Sequence, residues 1–275
     1  VIVCADDFGI SPAVDRGILE LVEIKSLSAV SCMVVSPFLK ESIVQIINYK
    51  EQIDIGLHLT LTDFFPLNND GHSLLNFEKK FKRFRTLWLD SLVLKINKNE
   101  LEREIESQIK LFFKLTGFFP NFIDGHQHIQ QIPLVGECLI NVIKKMGLKK
   151  KIYVRVWSYS YKNYQKFKKL NWKNRFMGIP SLLFINRLKK EGLLYNKNLF
   201  GYCSYEHDQF SEVFKEYALQ SENVHDLFFC HPGYVDESLK QVDSLLNHRL
   251  DVLSFFKSED FFNFKAKSKL SINRW

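Results

Sequence analysis

Val1-Ile2-Val3-Cys4-Ala5-Asp6-Asp7-Phe8-Gly9-Ile10-Ser11-Pro12 opens the chain, and its reading decides the fold. Val1–Ala5 is a continuous apolar run of strand-forming residues. Two acids and a turn follow it. Pro12 then starts a segment, Ala13–Ile24, in which Val14, Ile18, Leu21 and Val22 keep helical spacing. A strand that is apolar throughout and feeds an amphipathic helix is one β/α unit of a parallel sheet covered on both faces.

The same rhythm continues outward from this unit. Strands are predicted at Ala29–Val35, Ile53–Leu61, Asn121–Gly125, Ile152–Val156 and Val224–Cys230, with a weak last one at Leu270–Ile272. Helices are predicted at Phe38–Tyr49, near Phe84–Ile96, and at Glu100–Leu115, Pro133–Met146, Ser211–Gln220 and Leu239–Lys257. Six or seven such units predict an α/β fold, a distorted or incomplete (β/α) barrel with parallel strands; a doubly wound open sheet is the competitor. No glycine-rich phosphate loop follows any strand, which argues against a nucleotide fold. Residues 157–205, rich in Tyr, Lys and Asn, break the rhythm. The expectation is a single domain, 1–275, with a variable insertion at about 157–205.

Composition sets the outer limits. A chain of 275 residues, 46% hydrophobic and 25% charged, can bury a core without staples; disorder, collagen and a disulfide miniprotein are excluded. The longest near-apolar stretch, Ser28–Leu39, is broken by Ser and Pro, so no transmembrane helix is expected. The first residues lack the pattern of a signal peptide, and since the first residue is not Met, a few native residues are expected to precede it. Five cysteines, odd in number and without a Cys-x-x-Cys pair, predict a reducing compartment, the cytoplasm.

The strand ends carry the chemistry. Besides Asp6-Asp7 they hold His58 in Gly56-Leu57-His58-Leu59-Thr60, then Asp124-Gly125-His126-Gln127-His128, Arg155, and His231 in Cys230-His231-Pro232-Gly233-Tyr234. Singly, each has a plain reading: a helix cap for the acids, a core histidine for His58, turn chemistry for His231. Together, at the rim where parallel barrels keep their active sites, they suggest one carboxylate and two imidazoles around a divalent ion. Zinc, iron, cobalt and manganese all suit such a set, and so does the facial triad of an Fe(II)-dependent oxygenase.

These four motifs, in this order and spanning residues 1–235, resemble the YdjC-like carbohydrate deacetylases, which include chitooligosaccharide deacetylases. The Arg249 region shares the likeness. The resemblance implies a distorted β/α barrel, one divalent metal ion (magnesium or zinc), and hydrolysis of an N-acetyl group on an amino sugar, oligosaccharide or glycolipid. Carried over by motif, Asp7, His58 and His126 are the metal ligands. Asp6 is the catalytic base, and His231 lies across the substrate, where it can protonate the leaving amine. His128 falls in the family's His-rich strand end and is grouped with the substrate contacts. The chain departs from the family pattern at Gly125, where Ser is common, and at Arg155-Val156-Trp157, where Arg-x-Pro is usual.

Asp124 is a candidate to orient His126 or His231, or a loop cap. Arg155 is a substrate hydrogen-bond donor or a structural salt bridge. Phe64, Phe65, Trp157, Tyr159 and Tyr161 follow strand ends and could line a sugar cleft. A non-catalytic sugar-binding protein is the remaining alternative. The net charge of +7 is spread over lysine clusters such as Lys79-Lys80-Phe81-Lys82-Arg83 without a recognition motif, so no nucleic-acid partner is expected. A peripheral membrane contact, with Leu182–Leu194 as an interfacial or a merely packed segment, and a homodimer stay open.

Overall fold

The structure, a computed structural model, describes residues 1–68, 70, 72–158, 178–201, 209–221 and 223–275. Among these the elements in chain order are β1 Ile2–Phe8, α1 Pro12–Glu23, β2 Ala29–Cys32, α2 Leu39–Ile46, β3 Asp54–Leu59, α3 Phe84–Leu92, α4 Lys98–Thr116, β4 Phe122–Gly125, α5 Pro133–Lys145 and β5 Tyr153–Val154. There follow α6 Gly178–Glu191, β6 Leu194–Tyr195, β7 Leu199–Phe200, α7 Phe210–Gln220, β8 Leu227–Cys230, α8 Glu237–Lys240, α9 Leu246–Lys257 and α10 Glu259–Lys267. The described strand pairings are parallel, as the uninterrupted apolar runs predict. By contact the chain separates into two compact units, Val1–Gly56 with Leu199–Trp275, and Leu57–Asn198.

In the first unit β1 lies between β2 and β8, and β7 pairs with β8. Every residue of β1 is buried. Ser11 caps α1 by accepting the Val14 N–H at 3.3 Å, and Pro12 occupies the first turn. Helix α1 approaches the loop after β8 so closely that a Cβ on Gly233 would lie 2.8 Å from Val14 Cγ2, and one on Gly17 3.1 Å from the Gly233 Cα. Glycine at both positions is what lets the His231-Pro232-Gly233 loop seat against α1. An aromatic cluster fills the space behind β8. Phe214 meets Phe228 at 4.8 Å and Phe256 at 5.1 Å in T-shaped geometry, an arrangement that adds to plain apolar burial.

In the second unit β4 lies between β3 and β5, and β6 extends the order. Helix α4 is capped by Asn97 and ends on Gly117 in the left-handed conformation (φ 83°). Its buried stripe holds Leu101, Ile105, Ile109 and Phe112, as the spacing predicts, but also Glu104 and Gln108. Helix α6 buries Phe184 and Leu188, while Arg187 reaches Glu137 at 3.3 Å. Leu182, Leu183 and Leu194 of the same segment are exposed, so it packs on one face only.

Two predicted elements change, and one helix is added. The Leu239–Lys257 helix is two, α8 and α9, and in the break between them Asp243 Oδ1 accepts the Leu245 N–H at 2.9 Å. Helix α10 was not predicted. No strand forms at Leu270–Ile272: the segment is held by single bonds, such as Asn273 N–H to the Val1 carbonyl at 3.0 Å, and not by a ladder. The two-residue strands β6 and β7 are shorter than any periodicity can register, while β5 lies inside the predicted Ile152–Val156 strand. Tyr159, Tyr161, Cys203 and much of the 157–205 stretch lie outside the described residues.

Candidate active site

The first unit brings Asp6, Asp7 and His231 to one end of its strands. The β1–β2 register shifts between Ala5 and Phe8, and Asp7 takes a positive φ of 64°. Such a bulge re-aims side chains at a strand end and is expected where function, not regularity, sets the geometry. Asp7 and Asp6 are both buried, at 2% exposure each. Two buried carboxylates need compensation. For Asp7 it comes from Arg249 on α9, whose Nη2 donates to Asp7 Oδ2 at 2.6 Å and whose Nε donates to Asp243 Oδ2 at 2.5 Å. Burial opposes the guanidinium charge, but the Asp7 and Asp243 carboxylates outweigh it and raise the Arg249 pKa.

His231 Nε2 stands 3.9 Å from Asp6 Oδ2. Burial holds the His231 pKa below the usual imidazole value, although Asp7 and Asp6 pull the other way. The Arg249 carbonyl accepts the Gly233 N–H at 3.2 Å, so one residue of α9 fixes both the Asp7 carboxylate and the loop that carries His231. Neither Arg249 nor Asp243 had a role in the sequence reading. The available signal was an arginine on the buried face of a helix, in register with Val252 and Phe256.

The second unit brings together His58, Asp124, His126 and Arg155. His58 and Asp124 are register partners across β3 and β4. His58 Nδ1 is 2.7 Å from Asp124 Oδ1, and Arg155 Nη1 is 3.0 Å from Asp124 Oδ2. All three side chains are shut from solvent, at 2, 0 and 0% exposure. A carboxylate on Nδ1 selects the tautomer in which Nδ1 carries the proton and Nε2 offers its lone pair, the arrangement of a metal-ligating histidine. Asp124 therefore orients His58, a partner the sequence reading did not name. Arg155 takes the salt-bridge alternative.

The His126 ring is 5.6 Å from the His58 ring, and Phe64 meets it edge-on at 6.5 Å. His126 begins a tight turn, His126–Gln131, in which Gln127 and His128 adopt positive φ of 54° and 59°. Gly125 precedes it because Gln130 folds back over this point: a Cβ there would lie 2.5 Å from Gln130 Oε1. His128 packs edge-on against Trp157 at 5.3 Å, and Trp157 is itself buried. The buried polar pair on α4 holds this edge from behind. Gln108 bonds both the N–H and the carbonyl of Thr60, at 3.1 and 2.8 Å. Glu104 accepts the N–H groups of Leu67 and Asn68, each at 3.1 Å, below the loop that carries Phe64 and Phe65.

Buried acids and imidazoles gathered at the ends of parallel strands are the arrangement of an active site in β/α enzymes. Comparison with known proteins narrows the class. The model of the YdjC-like protein family matches residues 1–267, and the chain belongs to that family. It is 27% identical over 253 residues to a carbohydrate deacetylase of Halalkalibacterium halodurans, covering 91% of this chain and 92% of that one. It is 32% identical over 161 residues to a carbohydrate deacetylase of Danio rerio, covering 57% of this chain and 49% of that one. A solved structure, a candidate cellobiose-phosphate cleavage protein of Enterococcus faecalis, superposes with a TM-score of 0.78 at 19% identity, covering 99% of this chain and 96% of that one. That likeness shows the fold, the distorted (β/α) barrel expected from the sequence.

Proposed function

We propose that this protein is a carbohydrate deacetylase that hydrolyses the N-acetyl group of an amino sugar, oligosaccharide or glycolipid, with one divalent ion held by Asp7, His58 and His126. The observation that carries the reading is the Asp124–His58 pair at 2.7 Å, which fixes the imidazole as the carboxylate partner of a metal-ligating histidine does. Relatives bearing the name carbohydrate deacetylase over nine-tenths of their length support it. The residues suit the ion: two imidazoles and a carboxylate favour zinc, and magnesium less, since magnesium prefers oxygen ligands throughout. When bound, such an ion lowers the pKa of a water and polarises the acetyl carbonyl.

The chain's own groups do the rest. Asp6 accepts the proton of the attacking water, and His231 delivers a proton to the departing amine. Burial lowers the His231 pKa, and Asp6 at 3.9 Å works against that lowering. Arg249 fixes the Asp7 carboxylate by its hydrogen bond at 2.6 Å. Arg155, fully buried on Asp124, acts through that carboxylate. Phe64 beside His126, and the half-buried His128 backed by the buried Trp157, offer rings for a sugar face. Products are acetate and a free amine. We also place the protein in the cytoplasm; its buried thiols Cys4, Cys32, Cys138 and Cys230 support that, and among the described residues no helix is long and apolar enough to cross a membrane.

The test is metal stoichiometry followed by activity. The purified protein should hold one divalent ion, lost in His58→Ala and His126→Ala, and should hydrolyse N-acetyl sugars without oxygen. A strict need for Fe(II) and oxygen would instead establish the oxygenase alternative.

A further inference from the structure

The solvent side of α3 is as apolar as its buried side. Leu87, Trp88 and Ser91 face inward, while Leu89, Leu92 and Val93 are 61, 56 and 61% exposed. At 100° per residue, Arg85, Leu89, Leu92 and Val93 fall on one outward stripe. Leu94 beyond the helix is 83% exposed, and Phe77 on the preceding turn is 93% exposed. That turn is joined to the helix by the Lys82–Asp90 ion pair at 2.6 Å.

The same stretch holds most of the chain's excess charge. Residues 77–98 contain seven Lys and Arg against only Glu78 and Asp90, so +5 of the total +7 sits in this segment and the rest of the chain is nearly balanced. Lys82 and Lys98 are neutralised by Asp90 and Glu137. Lys79, Arg83, Arg85 and Lys95 have no carboxylate partner among the described residues. A second copy of this face would meet the first with like charge, which disfavours self-association. Nucleic acid would use the cations but has no use for an aliphatic stripe. An anionic bilayer surface takes both, because its headgroups attract the cations and its acyl boundary accepts the aliphatic side chains.

We propose that α3 and the adjoining turn dock on an anionic membrane surface. The turn is tied to the candidate site by the Phe81 N–H, which donates to the Phe64 carbonyl at 2.8 Å, and Phe64 in turn faces His126. Docking stands whether or not the chain is a deacetylase. The experiment is co-sedimentation of the full chain with vesicles of phosphatidylcholine alone, or with about one third phosphatidylglycerol. Binding is expected only to the anionic vesicles. The pairs Arg85→Glu/Lys95→Glu and Leu89→Ser/Val93→Ser should each weaken it about tenfold or more without lowering the melting temperature. Absence of binding, equal binding to neutral vesicles, or variants that bind like the wild type would each overturn the proposal. So would a concentration-dependent dimer abolished by Leu89→Ser/Val93→Ser, which would assign the face to a second copy.

Discussion

Asp124 accepts the Nδ1 proton of His58 at 2.7 Å in a site closed to solvent. If this bond sets the imidazole for metal binding, Asp124→Asn should lower metal affinity about 10- to 100-fold, since an amide no longer enforces the tautomer. Calorimetric metal titration reads this directly. Wild-type affinity in the variant would remove His58 from the ligand set.

Arg249 lies between two carboxylates, at 2.6 Å from Asp7 and 2.5 Å from Asp243. Arg249→Ala removes a charged partner from both acids, and the buried Asp7 suffers most. A loss of about 3–5 kcal/mol in unfolding free energy is expected. Denaturant unfolding checks it, with Asp243→Asn, whose residue is nearer the surface, expected to cost less.

Asp15 gives the stability a pH dependence. Burial raises its pKa to about 7, against hydrogen bonds from Ser42 and the Gly9 N–H that lower it, with nearby Asp236 adding to the rise. The folded state therefore holds a proton that the unfolded chain releases near pH 3.8. The stabilisation is complete below that value and is lost as pH rises through about 7, a change of at most about 4 kcal/mol. Asp15→Asn should flatten this limb. His248 works in the opposite sense. Burial, then the charges of His231 and Arg249, lower its pKa to about 3, so its contribution is present above pH 6.5 and is lost as pH falls toward 3. Melting curves across pH 4–8 for wild type, Asp15→Asn and His248→Gln separate the two.

Phe214 is fully buried against Phe228 and Phe256. Phe214→Ala should cost about 3–5 kcal/mol through lost burial and the cavity left behind. Because the residue is remote in role from the strand-end groups, metal affinity measured below the melting transition should not change.

What the sequence disclosed follows from the kind of signal each feature leaves. Val1–Ala5, Ile105 and Ile109 announce themselves by period, so the longer strands and helices were readable. The acids and imidazoles at strand ends were readable as a constellation. The supports were not. Arg249, Glu104 and Gln108 sit at positions whose spacing calls for apolar residues, Asp243 sits in a helix break, and Asp7 lies 242 residues from Arg249 and Thr60 48 from Gln108. Arg155 could be substrate contact or salt bridge until its burial against Asp124 was seen. The solvent-facing apolar stripe of α3 is also invisible to a period count, because two apolar faces cancel each other's moment.

The central claim is tested most directly by acetate release. The purified protein is supplied with a divalent metal and a panel of N-acetylated amino sugars, oligosaccharides and glycolipids, and acetate and free amine are measured together. The account predicts equal amounts of both from at least one substrate, abolition by a chelator, recovery on adding metal back, and a loss of about 100-fold or more in Asp6→Asn, whose carboxylate is the proposed base. No acetate from any substrate, or full turnover by Asp6→Asn or in the presence of chelator, would contradict it.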